Sequence, residues 1–129
     1  MKLSAARRLW ILLIFALLLS ACAKTDAPAK AVEAYWQALV SKDAETLANL
    51  SCGEWEAESR MVLDSFSAVE TVLQDVACAS SETESDAGTV KCSGKLVATY
   101  GEEKLEIDLG ERDYAVVKEG GEWRVCGYR

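Results

Sequence analysis

The sequence predicts an α+β domain in which N-terminal helices pack on one face of a curved antiparallel sheet, and three observations carry that expectation. Apolar residues recur with helical spacing up to Phe66, alternate with a period of two from Glu70 onward, and pair across a Gly101-Glu102 turn in one self-consistent register. The chain has 129 residues, enough for one domain once a leading segment is set aside. Residues 22–129 carry 11 cations against 21 acids, a net charge of −10, which argues against a nucleic-acid binder relying on Lys and Arg. There is no His, so imidazole triads, His-containing zinc sites and imidazole pH switching are excluded.

Residues 1–21 read as a targeting segment rather than as part of the fold. They hold 16 apolar side chains, three cations and no acid, with Lys2, Arg7 and Arg8 at the start and an apolar run from Leu9 to Leu19. As a helix that run rises only about 16 Å against a hydrocarbon core of about 30 Å, so a permanent transmembrane anchor is not expected. Leu19-Ser20-Ala21-Cys22 resembles the bacterial lipobox at all four positions. In proteins with that motif the Cys is diacylated and the signal is cut just before it. The resemblance implies a lipoprotein signal peptide over 1–21, a lipid on Cys22, a lipidated tether over 22–27 and one α+β domain over 28–129. The domain then sits in the cell envelope, on the exported side of a bacterial membrane. Ala23 is not the Asp that retains some lipoproteins in an inner membrane, so inner and outer membrane both stay open.

Cysteine arithmetic agrees with this. The chain has five Cys, and lipidation of Cys22 leaves Cys52, Cys78, Cys92 and Cys126, an even set. Their spacings fit no zinc pattern, and an exported protein meets an oxidising compartment, so two disulfides are expected. Three pairings are open from sequence alone. Cys78 with Cys92 is favoured because these flank a turn-rich segment and would lie across a hairpin, which leaves Cys52 with Cys126.

The elements follow in order. Ala23 to Ala27 spans at most about 18 Å, a short tether rather than a stalk. Pro28 suits the first turn of a helix capped by Thr25 or Asp26, and Val32, Tyr35, Trp36, Leu39 and Val40 form one apolar stripe on it. Ser41 and Lys42 break that helix, Asp43 caps a short second one presenting Leu47 and Leu50, and Cys52-Gly53 ends it. A third helix is expected from about Glu54 to Phe66, packing through Trp55, Val62 and Phe66. Val72, Val76 and Cys78 mark a first strand, and the Ser- and acid-rich stretch Ala79 to Gly88 reads as a solvated loop. In the second strand Val90, Cys92, Leu96, Ala98 and Tyr100 share one face, and Gly94 marks a bend. Pairing outward from Tyr100 with Glu103 sets Ala98 opposite Leu105, Leu96 opposite Ile107, and Lys95 opposite Asp108 as its charge partner. After a bend at Gly110, Tyr114 to Lys118 forms a strand, Gly120-Gly121 turns, and Trp123 to Tyr128 closes the sheet. There the faces stay unassigned, because Val116, Trp123 and Val125 have one parity and Val117, Cys126 and Tyr128 the other.

Three features make residues 28 to 128 resemble the nuclear transport factor 2-like superfamily, in particular small bacterial lipoproteins of lumazine-binding or cystatin-like type. They are Ala31-Val32-Glu33-Ala34-Tyr35-Trp36 leading into Lys42-Asp43-Ala44-Glu45, the helix-helix-helix-strand order, and the ending from Val116 through Gly120-Gly121 to Val125. The resemblance implies a cone-shaped sheet whose cavity either holds a small molecule or is filled, and a sheet face through which members often pair. Tyr35, Trp36 and Tyr100 are the candidate cavity lining. Catalytic members use an Asp base and Tyr donors in the cavity, but no acid here matches such a position. Asp43 reads as a cap, Asp75 as an exposed strand residue and Trp123 as a core plug. Glu82, Glu84 and Asp86 lack the spacing of a calcium loop, and no metal ligands, catalytic residues or cofactor are assigned. The expected function is a membrane-anchored, non-catalytic module binding a small apolar ligand or a protein, with homodimers open to it and nucleic acid excluded. The alternatives are a small cavity enzyme using Tyr and Asp, or a structural accessory subunit of an envelope complex.

Overall fold

The computed structural model describes residues 25–129; the signal segment 1–21, Cys22 and the first residues of the tether lie outside the described residues. Among the described residues three helices come first: α1 (Ala27–Val40), α2 (Ala44–Asn49) and α3 (Glu56–Phe66). Five strands follow, β1 (Glu70–Thr83), β2 (Ala87–Tyr100), β3 (Glu103–Asp108), β4 (Asp113–Glu119) and β5 (Glu122–Tyr128), with a 3-10 turn at Leu109–Glu111. The α+β order is therefore as expected. Among the described residues no helix is long and apolar enough to cross a membrane.

Asp26, not Thr25, caps α1, its carboxylate accepting from the Ala29 N–H at 3.2 Å, with Pro28 in the first turn where its missing N–H costs nothing. The helix ends in a Schellman arrangement: the Asp43 N–H reaches Ala38 O at 2.9 Å and the Lys42 N–H reaches Leu39 O at 3.2 Å. Lys42 takes the left-handed position, φ 60°, that Gly usually fills, and its Nζ donates to Thr71 Oγ1 at 2.8 Å. Asp43 then caps α2 through Thr46 N at 3.0 Å, as expected of it.

The sheet is antiparallel, ordered β1-β2-β4-β5, with β3 also paired to β2. The β2–β3 register is the expected one at every named position, from Tyr100↔Glu103 to Lys95↔Asp108. The charge partner differs: Lys95 Nζ bonds the diagonal Glu106 at 2.9 Å, while Asp108 turns to cap the 3-10 turn through Gly110 N at 2.8 Å. The stretch from Ala79 to Gly88 is not a loop. Pairing continues through Ser80↔Val90, Glu82↔Thr89 and Thr83↔Gly88, and only 84–86 turns. Its polar composition reflects exposure along β1 rather than absence of strand, since the ladder is held by backbone groups that side-chain polarity does not reveal. Nor is the sheet a simple meander: the 3-10 turn carries the chain so that β3 and β4 lie end to end along one side of the 14-residue β2.

The sheet has three register shifts among the described residues, one of them between Ser80 and Glu82 in the exposed part of β1, and the other two set which side chains face inward. The β1–β2 register shifts between Gln74 and Ala77 opposite Gly94, where Asp75 adopts φ 52° and Gly94 φ 93°. A Cβ on Gly94 would lie 2.5 Å from Asp75 O and 2.6 Å from Gln74 O, so only glycine fits. The shift puts Leu73 and Val76 toward the core and leaves Val72 exposed. A second shift, between Tyr114↔Tyr128 and Val116↔Val125, places one extra residue in β5. That bulge resolves the parity conflict: Val125 and Tyr128 both join the core, although three positions apart.

The strands that end the β1-β2-β4-β5 path are covered at specific groups, while β3, paired to β2 alone, forms a further, largely exposed edge. On β1, Glu33 Oε1 accepts from the Cys78 N–H at 3.0 Å, and Asp26 accepts from the Ser80 N–H at 2.8 Å and the Ser80 hydroxyl at 2.5 Å. The carboxylates of Glu33 in α1 and of its cap Asp26 thus take the donors a neighbouring strand would take. On β5, Val125 bridges the segment at Ser51 in parallel, with Cys52 N–H to Val125 O at 2.9 Å and Val125 N–H to Leu50 O at 2.7 Å. The disulfides are those favoured from sequence. Cys78–Cys92 joins directly opposed residues of β1 and β2, and Cys52–Cys126 ties the end of α2 to β5. Because the Cys78 N–H points away to Glu33, that pair is of the closely spaced, non-hydrogen-bonded kind, with Cα atoms 4.0 Å apart.

Candidate functional site

Between α1 and the sheet the interior closes on aromatic rings. Tyr35 and Trp36 come from adjacent positions of α1, Tyr114 from β4, Tyr128 from the bulged end of β5, and Trp55 from the residue before α3. Trp36 lies 5.7 Å from Tyr128 and 6.1 Å from Tyr114 by ring centroid, Tyr114 lies 5.6 Å from Tyr128, and Trp55 lies 5.3 Å from Tyr128. Tyr35 and Tyr114 are fully buried and Trp36 is 2% exposed. The rings pack on one another in the space between α1 and the sheet. Of the expected lining, Tyr35 and Trp36 are here and Tyr100 is not: it is 45% exposed at the far end of β2, beyond the reach of α1. Trp123 does not plug the core but packs half-buried against its margin, with Lys118 Nζ 5.9 Å from its ring.

A polar relay runs through the apolar interior. The Tyr35 hydroxyl lies 3.0 Å from Ser59 Oγ, Ser59 lies 2.8 Å from Ser51 Oγ, and the Ser51 hydroxyl donates to Leu47 O at 2.7 Å. Trp55 Nε1 donates to Tyr35 Oη at 3.3 Å, and the Tyr114 hydroxyl donates to Leu109 O at 3.0 Å. Each buried hydroxyl therefore has a partner, which is what lets it be buried. The serines were not anticipated. Their signal was small: Ser59 follows Trp55 by four residues, so a polar residue falls on the packing stripe of α3.

Electrostatics make these phenols donors rather than bases. Burial pushes the Tyr114 and Tyr128 hydroxyls up to about 12 and raises Tyr35 as well. The Arg112 guanidinium, 4.8 Å from the Tyr128 ring centroid, opposes this only in part. Among the described residues the buried polar side chains are Ser51 and Ser59, and the carboxylates lie outside the cluster. Asp26 and Glu33 are held ionised below their ordinary ranges, Asp26 mainly by the Ser80 hydroxyl and Glu33 mainly by Lys30 at 2.9 Å. Open hollows of similar size lie on the surface, among them one of about 490 Å³ between α1 and β1, lined by Lys30, Glu33, Gln37 and Leu73, one of about 470 Å³ lined by Trp55, Tyr128, Thr89 and Arg129, and one of about 430 Å³ at the Gly94 bulge. Among the described residues no group of three His, Cys, Asp or Glu is placed to hold a metal, Glu82, Glu84 and Asp86 included.

No protein-family model and no curated protein sequence matches the chain. Solved structures do. A protein from Novosphingobium aromaticivorans described as NTF2-like with a cystatin-like fold superposes with a TM-score of 0.56 at 13% identity, over 88% of this chain and 84% of that one. A candidate aromatic ring hydroxylase from the same organism gives 0.61 at 13% identity over 80% and 85%, and a candidate scytalone dehydratase gives 0.57 at 14% over 79% and 78%. At such identities the likeness speaks to fold alone. Helices followed by a curled antiparallel sheet that forms a half-barrel fit these structures, and the chain has the nuclear transport factor 2-like, cystatin-like fold.

Proposed function

We propose that the protein is an exported lipoprotein, anchored to a bacterial membrane through Cys22, whose domain binds a partner at its outer surface without catalysing a reaction. One observation carries the reading: the interior that could hold a substrate is occupied by Tyr35, Trp36, Tyr114 and Tyr128, with the carboxylates outside. Acid–base chemistry of the Tyr and Asp kind needs a carboxyl group within hydrogen-bond reach of substrate and beside a phenol. Export is supported by the two disulfides, which use all four cysteines of the domain and leave Cys22 for the lipid.

The names of the structural neighbours favour a second reading, a small-ligand site, for which the hollow beside Trp55 and Tyr128 is the place. Native mass spectrometry of the full-length protein, extracted in detergent from an exporting bacterial host, separates the two. The expected result is a diacylglyceryl mass on Cys22, no free thiol in the domain, and no small molecule retained. A retained ligand, released on denaturation, overturns the outer-surface reading, and an unmodified Cys22 overturns the anchoring.

A further inference from the structure

Asp26, which the sequence alone places in the tether, is fixed to the sheet. Its side chain bonds the Ala29 N–H and both donors of Ser80, and its carbonyl accepts from Lys30 N at 3.0 Å. The covalent distance left to an anchor on Cys22 is four Cα steps, at most about 14 Å. From Ser80, β1 continues to Thr83, about 10 Å further, before the 84–86 turn. The β1–β2 hairpin therefore projects past the attachment point by nearly the full length of the tether. The β4–β5 turn lies beside it, because the Lys118 N–H donates to Asp86 O at 2.8 Å.

Resting on the anchoring just proposed, we infer that the lipidated domain stands on the end that carries these two turns, with the β1–β2 hairpin at the lipid headgroups. α1 runs away from the membrane, since it begins at Asp26 beside Ser80 and ends where Val40 O accepts from the Thr71 hydroxyl at 3.3 Å. The β2–β3 turn is the outermost point, one length of β2 or about 40 Å beyond the hairpin tip. The membrane-facing end bears exposed Glu82, Glu84, Asp86, Glu119 and Glu122 against Lys118. A headgroup layer is several ångströms thick and a Debye length in physiological salt is about 8 Å, so these carboxylates feel the charge of the lipids directly. The surface that fits is zwitterionic. An anionic surface repels this end and tilts the domain on its tether.

The test uses the full-length lipidated protein in phosphatidylcholine vesicles that carry a headgroup energy-transfer acceptor, with a donor dye placed at Ser85→Cys or at Glu102→Cys. Transfer is expected to be strong from position 85 and weak from 102. Equal transfer, or the reverse order, overturns the orientation. With a large fraction of phosphatidylglycerol at low salt, transfer from 85 is expected to fall and to recover in high salt. In the Glu82→Lys, Glu84→Lys, Asp86→Lys variant it is expected not to fall; an equal fall in that variant overturns the electrostatic part. The intact mass and flotation with vesicles read the anchoring separately. A protein without lipid that fails to float overturns both readings, whereas a floating protein with the reversed gradient overturns the orientation alone.

Discussion

Replacing Asp26 by Ala removes three things that the fold concentrates in one carboxylate. The cap on Ala29 N is worth about 1 kcal/mol, as N-caps generally are. The two bonds from Ser80, at 2.8 and 2.5 Å, are charge-assisted but half open to solvent, and contribute about 0.5–1.5 kcal/mol each. The sum is about 2–4 kcal/mol, and at about 4 °C or more per kcal/mol in a domain of this size the midpoint should fall by roughly 10–15 °C. Asn at the same site keeps a capping oxygen and loses the charge, so Asp26→Asn should lie between wild type and Asp26→Ala. Thermal unfolding of the oxidised protein by far-ultraviolet circular dichroism reads both. The pH dependence follows from sign. The folded Asp26 titrates below its ordinary 3.8, so its contribution is complete above that value and is lost as pH falls through the depressed folded value. The gap between wild type and Asp26→Ala should be constant from pH 5 to 8 and close below about pH 4. A loss under about 1 kcal/mol at pH 7, the size of a cap alone, would refute the edge-clamp reasoning.

Gly94→Ala should cost about 2–5 kcal/mol in a denaturant titration, combining a left-handed backbone with a Cβ driven onto two carbonyl oxygens; a cost below about 1 kcal/mol means the bulge can relax. Removing Cys78–Cys92 by paired Ala substitutions should cost about 3 kcal/mol and removing Cys52–Cys126 about 4 kcal/mol, because the second closes the longer loop; the reverse ranking in urea would count against the chain-entropy account. Tyr35→Phe should cost about 1–3 kcal/mol by leaving Trp55 Nε1 without its acceptor and Ser59 with Ser51 as its one remaining partner, and Tyr35→Phe combined with Ser59→Ala should cost less than the two single changes added together. Alkaline titration followed by phenolate absorbance should show two groups ionising near 12; since folding raises these values, stability should hold up to about pH 10 and decline above it.

Much of the fold was legible because local chemistry and tertiary environment agreed. Asp26, Asp43 and Pro28 signal helix starts that no packing has to impose, and the stripe from Val32 to Val40 can be buried only one way. The β2–β3 register was legible for the same reason: a slip of one residue would carry Leu96 and Ala98 to the outer face. The continuation of β1 through Ser80 to Thr83 was not, because an exposed face has no apolar alternation to read. The face of β5 was not either, since a bulge shifts parity by one residue without an unambiguous mark in composition.

The candidate site divides in the same way. The sequence by itself determined the helix caps, the hairpin register, the acidic surface and the even set of four cysteines, because each depends on neighbours in the chain or on simple counts. Only the tertiary structure decided that Tyr35, Trp36, Tyr114 and Tyr128 cluster together, that Tyr100 stands apart from them, and that Ser51 and Ser59 complete a buried relay. Those outcomes depend on how far a helix reaches across a twisted sheet and on where bulges turn side chains inward. They are properties of distances between elements remote in sequence, and no local pattern encodes them.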